Sequence, residues 1–173
     1  MEGVVSAPAP PRIPSPDADD LTIRDARSED AAAVDRLDAR ITELAKPDYW
    51  REIFARFSGR PDSHILIAEV GGRLRGFIIG EVRAWEFGSP PSGWIFAIGV
   101  HPDHRLNKLG SRLFEAMCQR LRESGVKTVR TMLARDDNLN MAFFRSQGMM
   151  GGPFTQLEMP LRLTAGGDGD KGS

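Results

Sequence analysis

The sequence predicts one mixed α/β domain in which a mixed sheet carries helices on both faces. Three observations point there. Apolar segments follow in the order β-α-α-β-β-β-α-β-α-β, too little alternation for a doubly wound parallel sheet. Ile65 to Val70, a Gly71-Gly72 pair, and Leu74 to Val82 read as an antiparallel hairpin. Ile98 to Leu113, IGVHPDHRLNKLGSRL, reads as strand, tight polar loop and helix. That last order aims unpaired backbone N–H groups at one point before a helix N-terminus, where a phosphate or pyrophosphate is favoured.

The elements follow in chain order. Residues 1–20 are rich in proline and alanine and end in Asp17, Asp19 and Asp20, a composition that reads as a disordered tail. Leu21 to Ala26 alternates as a strand. Ser28 stands as an N-cap, with Glu29 and Asp30 in the first turn of a helix whose stripe is Val34, Leu37, Ile41 and Leu44. A second helix runs from Pro47 to Phe57 on Trp50, Ile53, Phe54 and Phe57. The hairpin follows, its second strand extending toward Trp85, and after the Ser89–Ser92 loop comes a strand over Trp94–Val100. The helix 110–124 closes on Gly125. Val126–Leu133 is predicted as a strand, Asn138–Gln147 as a short helix closed by Gly148, and Phe154–Leu163 as a last strand. Met149, Met150 and Phe154 read as core. The folded unit is therefore 21–163, and the glycine-rich 164–173 a second disordered tail.

Composition narrows the function. Among 173 residues the net charge is −1, which gives no basic field for nucleic acid or for an anionic membrane. No apolar run approaches the ~20 residues that span a bilayer, and the N-terminus lacks the pattern of a secretory signal. The single cysteine, Cys118, rules out an internal disulfide, reads as a core thiol and suits a reducing, cytoplasmic setting. His101 and His104 flank Pro102-Asp103 with no third ligand at metal spacing, so they read as exposed loop histidines and no metal site is expected.

Val100-x-Pro102-x-x-Arg105, followed by Gly110-Ser111 and an apolar helix, resembles the acetyl-coenzyme A loop of the GNAT superfamily of N-acetyltransferases. The family's R/Q-x-x-G-x-G/A pattern begins here at Arg105 and ends at Gly110. Lys108 replaces the first glycine, which is expected only if the backbone there has ordinary dihedrals. A second family motif, N-x-x-A-x-x-L/F-Y-x-x-x-G-F, matches Asp137 to Met149 in part: Phe143 and Gly148 agree, Asp137 replaces asparagine, and Phe144 stands where tyrosine is common.

The resemblance covers about 21–160 and implies a mostly antiparallel sheet splayed between its fourth and fifth strands, with acetyl-CoA in the gap. It implies that Ile98, Gly99 and Val100 line the pantetheine arm. Arg105, Leu106, Asn107, Lys108, Leu109, Gly110 and Ser111 would hold the pyrophosphate, with Asn138 and Phe144 nearby. The implied activity is acetyl transfer from acetyl-CoA to a primary amine, on a small molecule or a peptide, by direct attack in a ternary complex. Phe144 cannot protonate the departing thiolate, so water or a substrate group is expected to do so.

A general base is sought because an ammonium near pKa 10 is unreactive at neutral pH. Trp94 and Phe96 fill the strand positions where some relatives carry one. Glu81 and Glu86 are the acidic candidates, Glu81 favoured because it shares a strand face with Phe77 and Ile79. Tyr49 and Trp85 are candidates to touch the acceptor, and the last strand can pair with a second copy, a homodimer. Two other classes stay open. One is a non-catalytic acyl-CoA-binding sensor or scaffold of the same fold. The other is a nucleotide-phosphate loop, against which the absence of G-x-x-x-x-G-K-[ST] and of a three-glycine fingerprint weighs.

Overall fold

A computed structural model of the chain describes residues 20–84 and 88–161. Five strands, β1 (Leu21–Asp25), β2 (Ser63–Val70), β3 (Arg73–Arg83), β4 (Ser92–Val100) and β5 (Val129–Arg130), form one sheet in sequential order. The first four are antiparallel neighbours and β5 joins β4 in parallel. Helices α1 (Ala31–Thr42) and α2 (Pro47–Phe57) cover one face, and α3 (Leu109–Glu123) and α4 (Asn138–Ser146) the other. The predicted mixed, mostly antiparallel sheet between helices is the observed one.

Strand alternation divides the core into two layers. Leu66, Ala68, Ile78 and Ile95 meet Leu113, Met117 and Leu121 of α3, while Ile67, Phe77 and Ile79 meet Val34, Trp50 and Phe54 of α1 and α2. A Cβ at Gly76 would stand 2.5 Å from Leu109 Cδ2, and one at Gly93 2.6 Å from Leu121 Cδ1. Glycines on the sheet therefore let α3 lie close to it, which fixes where its N-terminus points. Burying these two layers is the main source of stability.

Several elements differ from the sequence expectation. Ser28–Asp30 is a 3-10 turn in which Asp30 Oδ2 accepts from Arg27 N at 2.7 Å, so Asp30 rather than Ser28 serves the chain entering α1. At its far end α1 stops at Thr42, Glu43 takes a left-handed φ of 59°, and Leu44 is 60% exposed. The fifth strand shrinks to Val129–Arg130, because β4 supplies only two residue pairs before the strands part. The expected last strand is not formed over 154–161, and 162–163 lie outside the described residues. Pro160 cannot donate to a ladder, and Gly151-Gly152-Pro153 precedes the segment. Leu157 and Leu161 are 91% and 81% exposed. Met150 and Phe154 are likewise exposed and not core, whereas Met149 packs against the α3 layer and Cys118 is buried. The strand on which pairing with a second copy was expected is thus absent from the described residues.

Candidate functional site

The site forms where β4 and β5 separate. After Trp94↔Arg130 the ladder stops, and the Thr131 hydroxyl donates to the Ile95 carbonyl at 2.8 Å. The β3–β4 register shifts at Ile79/Gly80. The shift breaks β4's alternation, so Phe96 and Ala97 both pack toward α1 and α2, while Ile95 and Ile98 pack toward α3. From Ile98 on, β4 leads into the polar loop.

His101 opens that loop. It is 7% exposed, a correction to its reading as an exposed histidine, because its backbone N–H donates to the Arg75 carbonyl at 2.8 Å and ties the ring down beside β3. Its Nδ1 accepts from Asp103 N at 3.3 Å, and burial, reinforced by Arg40, pushes its pKa down. A 3-10 turn over Pro102–Asn107 follows. Lys108 then takes φ 55° and ψ 15°, so the lysine at the family's glycine position sits in the left-handed region rather than at ordinary dihedrals. The turn that glycine normally serves is therefore kept, at a local cost of about 1–2 kcal/mol. The first backbone bond of α3 runs from Arg112 N to the Lys108 carbonyl at 3.0 Å. The amides of Leu109, Gly110 and Ser111 precede the helical ladder and are available to an anion.

A cavity of about 240 Å³ gathers Ile98, Gly99, Val100, Arg105, Lys108, Gly110 and Ser111 with Ile41, Leu139, Asn140 and Phe143. Seven of the predicted cofactor residues thus share one space. Leu109 is 1% exposed and turned into the α3 core, so what it can offer the loop is its main chain. Leu106 and Asn107 lie on the loop between these residues. Asn138 is exposed at the start of α4 and lines no part of this cavity; Asn140, two residues on, does. Asp137, at the motif's asparagine position, is the N-cap: it accepts from Asn140 N at 3.1 Å and from Asn140 Nδ2 at 2.7 Å, fixing that side chain. Gln147 Nε2 donates to Ser111 Oγ at 3.0 Å and joins the end of α4 to the start of α3.

Ile98 and Asn140 also line a second cavity of about 400 Å³, the cleft between the parted strands, which Phe96, Ala97, Thr131, Phe144, Tyr49 and Trp50 wall as well. Phe144 is therefore in the cleft wall, not in the loop cavity, where Phe143 takes its place. Tyr49 is 44% exposed at the rim, edge-on to the buried Trp50. Glu81 lines neither cavity; its Oε1 accepts from Arg83 Nε at 2.9 Å, and the Arg83 guanidinium lies over the Trp94 ring. Trp85 and Glu86 lie outside the described residues. Asp38 and Lys46 of the cleft were missed in sequence. Asp38 gave a signal, being an acidic residue amid the stripe Val34, Leu37 and Ile41; Lys46, before a helix-starting proline, gave none.

Strand edge, turn into a helix N-terminus and cleft together make the architecture of an acyltransferase fold. The chain belongs to the acetyltransferase (GNAT) family, whose model matches residues 31–149. An L-2,4-diaminobutyric acid acetyltransferase of Nocardia farcinica is 30% identical over 79 residues, a match spanning 46% of this chain and 39% of that relative. Among solved structures, an aminoglycoside acetyltransferase from an uncultured soil metagenomic sample superposes with a TM-score of 0.69 at 18% identity, over 84% of this chain and 99% of that one. The aminoglycoside N-acetyltransferase AAC(6')-Iy, in complex with CoA, gives 0.72 at 15% identity, over 81% and 94%. At these identities the structural likeness concerns the fold.

Proposed function

We propose that the protein transfers the acetyl group of acetyl-CoA to a primary amine of a small molecule. The observation that carries this is that the two cavities are neighbours sharing Ile98 and Asn140 as wall residues. One end offers the amides of Leu109 to Ser111, with Arg105 and Lys108, to two linked phosphates. The other offers a walled cleft to the reacting groups. Acetyl-CoA fits both ends: a dianionic pyrophosphate on a helix N-terminus and an extended arm along the free edge of β4. The related enzymes named above act on diaminobutyrate and on aminoglycosides, both primary amines.

In the proposed reaction the neutral amine attacks the thioester carbonyl. The C–N bond forms, the C–S bond breaks, and the amine proton leaves to solvent. The thiolate departs without a protein acid, since Phe144 in the cleft wall has no proton to give, and water protonates it. Glu81, its carboxylate held by Arg83 outside both cavities, is the base that takes the amine proton by way of solvent; Glu86, outside the described residues, stays the alternative. A Glu81→Gln enzyme with the wild-type pH–rate profile removes Glu81 from the role.

The test is release of free thiol from acetyl-CoA with a panel of amines. Amine-dependent release supports the reading. Tight acetyl-CoA binding with no release for any amine would favour a sensor or scaffold.

A further inference from the structure

The cleft holds one ion pair among the described residues. Asp38 on α1 is 8% exposed; its Oδ2 accepts from Trp50 Nε1 at 3.1 Å and stands 2.8 Å from Lys46 Nζ. Lys46, one residue before α2, is anchored by its own backbone N–H, which donates to Asp35 Oδ1 at 2.8 Å, while its ammonium lies 5.8 Å from the Tyr49 ring centroid. Asp38, Lys46, Tyr49 and Trp50 all face the space that Ile98 and Phe144 line. Asp38 is the one carboxylate on that lining.

Charge counting makes this arrangement selective. A simple cation entering the cleft must displace Lys46 from Asp38 or share the carboxylate with it, and either leaves a positive charge without a partner. A polycation meets the same obstacle several times over, with one anion to receive it. A ligand carrying both signs escapes it. Its ammonium takes Asp38, its carboxylate takes Lys46, and the number of paired charges rises.

Resting on the acetyltransferase reading, we propose that Asp38 and Lys46 bind the zwitterionic head of the acceptor, which is an α-amino acid carrying a second amine on its side chain. The second amine is a requirement of chemistry. An ammonium held against a carboxylate is stabilised in its charged form and is a poor nucleophile, so the head group is bound and the distal amine reacts. That amine forms the new C–N bond as the C–S bond of acetyl-CoA breaks, losing its proton to solvent while the thiolate takes one from water. Trp50 is a positioning residue: its indole N–H holds the Asp38 carboxylate, and its ring packs edge-on against Phe77 at 5.2 Å between centroids.

The experiment pairs each amino acid with the diamine left by removing its carboxyl group: L-2,4-diaminobutyrate with 1,3-diaminopropane, and L-ornithine with putrescine. Thiol release is followed in the wild type, Lys46→Ala and Asp38→Asn. In the wild type the amino acid exceeds its diamine in kcat/KM by about 10-fold or more, the size of one charge-assisted hydrogen-bonded contact, and the difference lies in KM. Lys46→Ala abolishes the preference by raising KM for the amino acid, with KM for acetyl-CoA unchanged. Asp38→Asn, which keeps an oxygen for Trp50, also raises KM for the amino acid. A diamine equal to or better than its amino acid in the wild type overturns the proposal, as does a preference that survives Lys46→Ala. Transfer to diamines alone would sink this inference and leave the acetyltransferase reading standing. No transfer to any amine, with no acetyl-CoA binding by calorimetry, would remove both.

Discussion

The Thr131 hydroxyl donates to the Ile95 carbonyl at 2.8 Å at the point where β4 and β5 part. The bond replaces the next rung of the ladder after Trp94↔Arg130. It satisfies a carbonyl that the separation would otherwise strand, and so holds the mouth of the cleft at a fixed place. The fork is a local device built by one side chain.

Thr131→Val keeps the shape and removes the donor. The expected loss is about 1 kcal/mol of unfolding free energy, the ordinary worth of such a bond. Thr131→Ser should retain most of it. Urea midpoints of the three proteins check the point, and equal midpoints for wild type and Thr131→Val would mean the bond contributes nothing.

Lys108 makes a second prediction. Its left-handed backbone costs a residue with a Cβ about 1–2 kcal/mol, while glycine's extra freedom in the unfolded chain costs about 0.5–1. Lys108→Gly should therefore stabilise the protein by about 0.5 kcal/mol. Lys108→Val, branched at Cβ, should destabilise it by about 1 kcal/mol or more. Thermal unfolding of both variants reads the sign. A stable valine variant would show that the turn is not left-handed in solution.

His101 predicts a pH dependence. Burial holds its folded pKa below the ordinary 6.5, with Arg40 acting in the same direction. As pH falls through 6.5 the unfolded chain takes up the proton first, while the folded ring stays neutral. Stability is thus full above 6.5 and is lost as pH drops toward the folded value. His64, also lowered mainly by burial, adds a slope of the same sign. His101→Gln should make the decline between about pH 7 and 5 shallower without removing it. An unchanged slope would place the titration elsewhere.

Much of this was legible in the sequence, and the reasons are local. Gly71-Gly72 and the alternation around it specify a hairpin, and glycines with φ of 58° and 67° form its turn. Apolar periodicity set α2 and α3 nearly to the residue. The Ile98–Ser111 loop was readable because strand, bend and helix follow one another without a gap. What was not legible depends on partners distant in sequence. Alternation puts Glu81 on a strand face but cannot say that Arg83 holds its carboxylate. Phe154 to Leu163 has the pattern of a strand, yet a strand needs a neighbour, and β5 is two residues long. The Asp38–Lys46 pair exists because the short connection between α1 and α2 brings Lys46 beside Asp38, and only the acidic break in an apolar stripe hinted at it.

The most direct test of the central claim is calorimetric titration of acetyl-CoA into the wild type and into Gly110→Asp. A Cβ at Gly110 would stand 3.1 Å from Phe143 Cε2, and an aspartate there puts a negative charge where we propose the pyrophosphate binds. The account predicts one acetyl-CoA per wild-type chain and an affinity at least about 10-fold weaker in the variant, an electrostatic penalty of about 1.4 kcal/mol or more, with an unchanged circular dichroism spectrum. No heat with the wild type, or equal affinity in the two proteins, would contradict it.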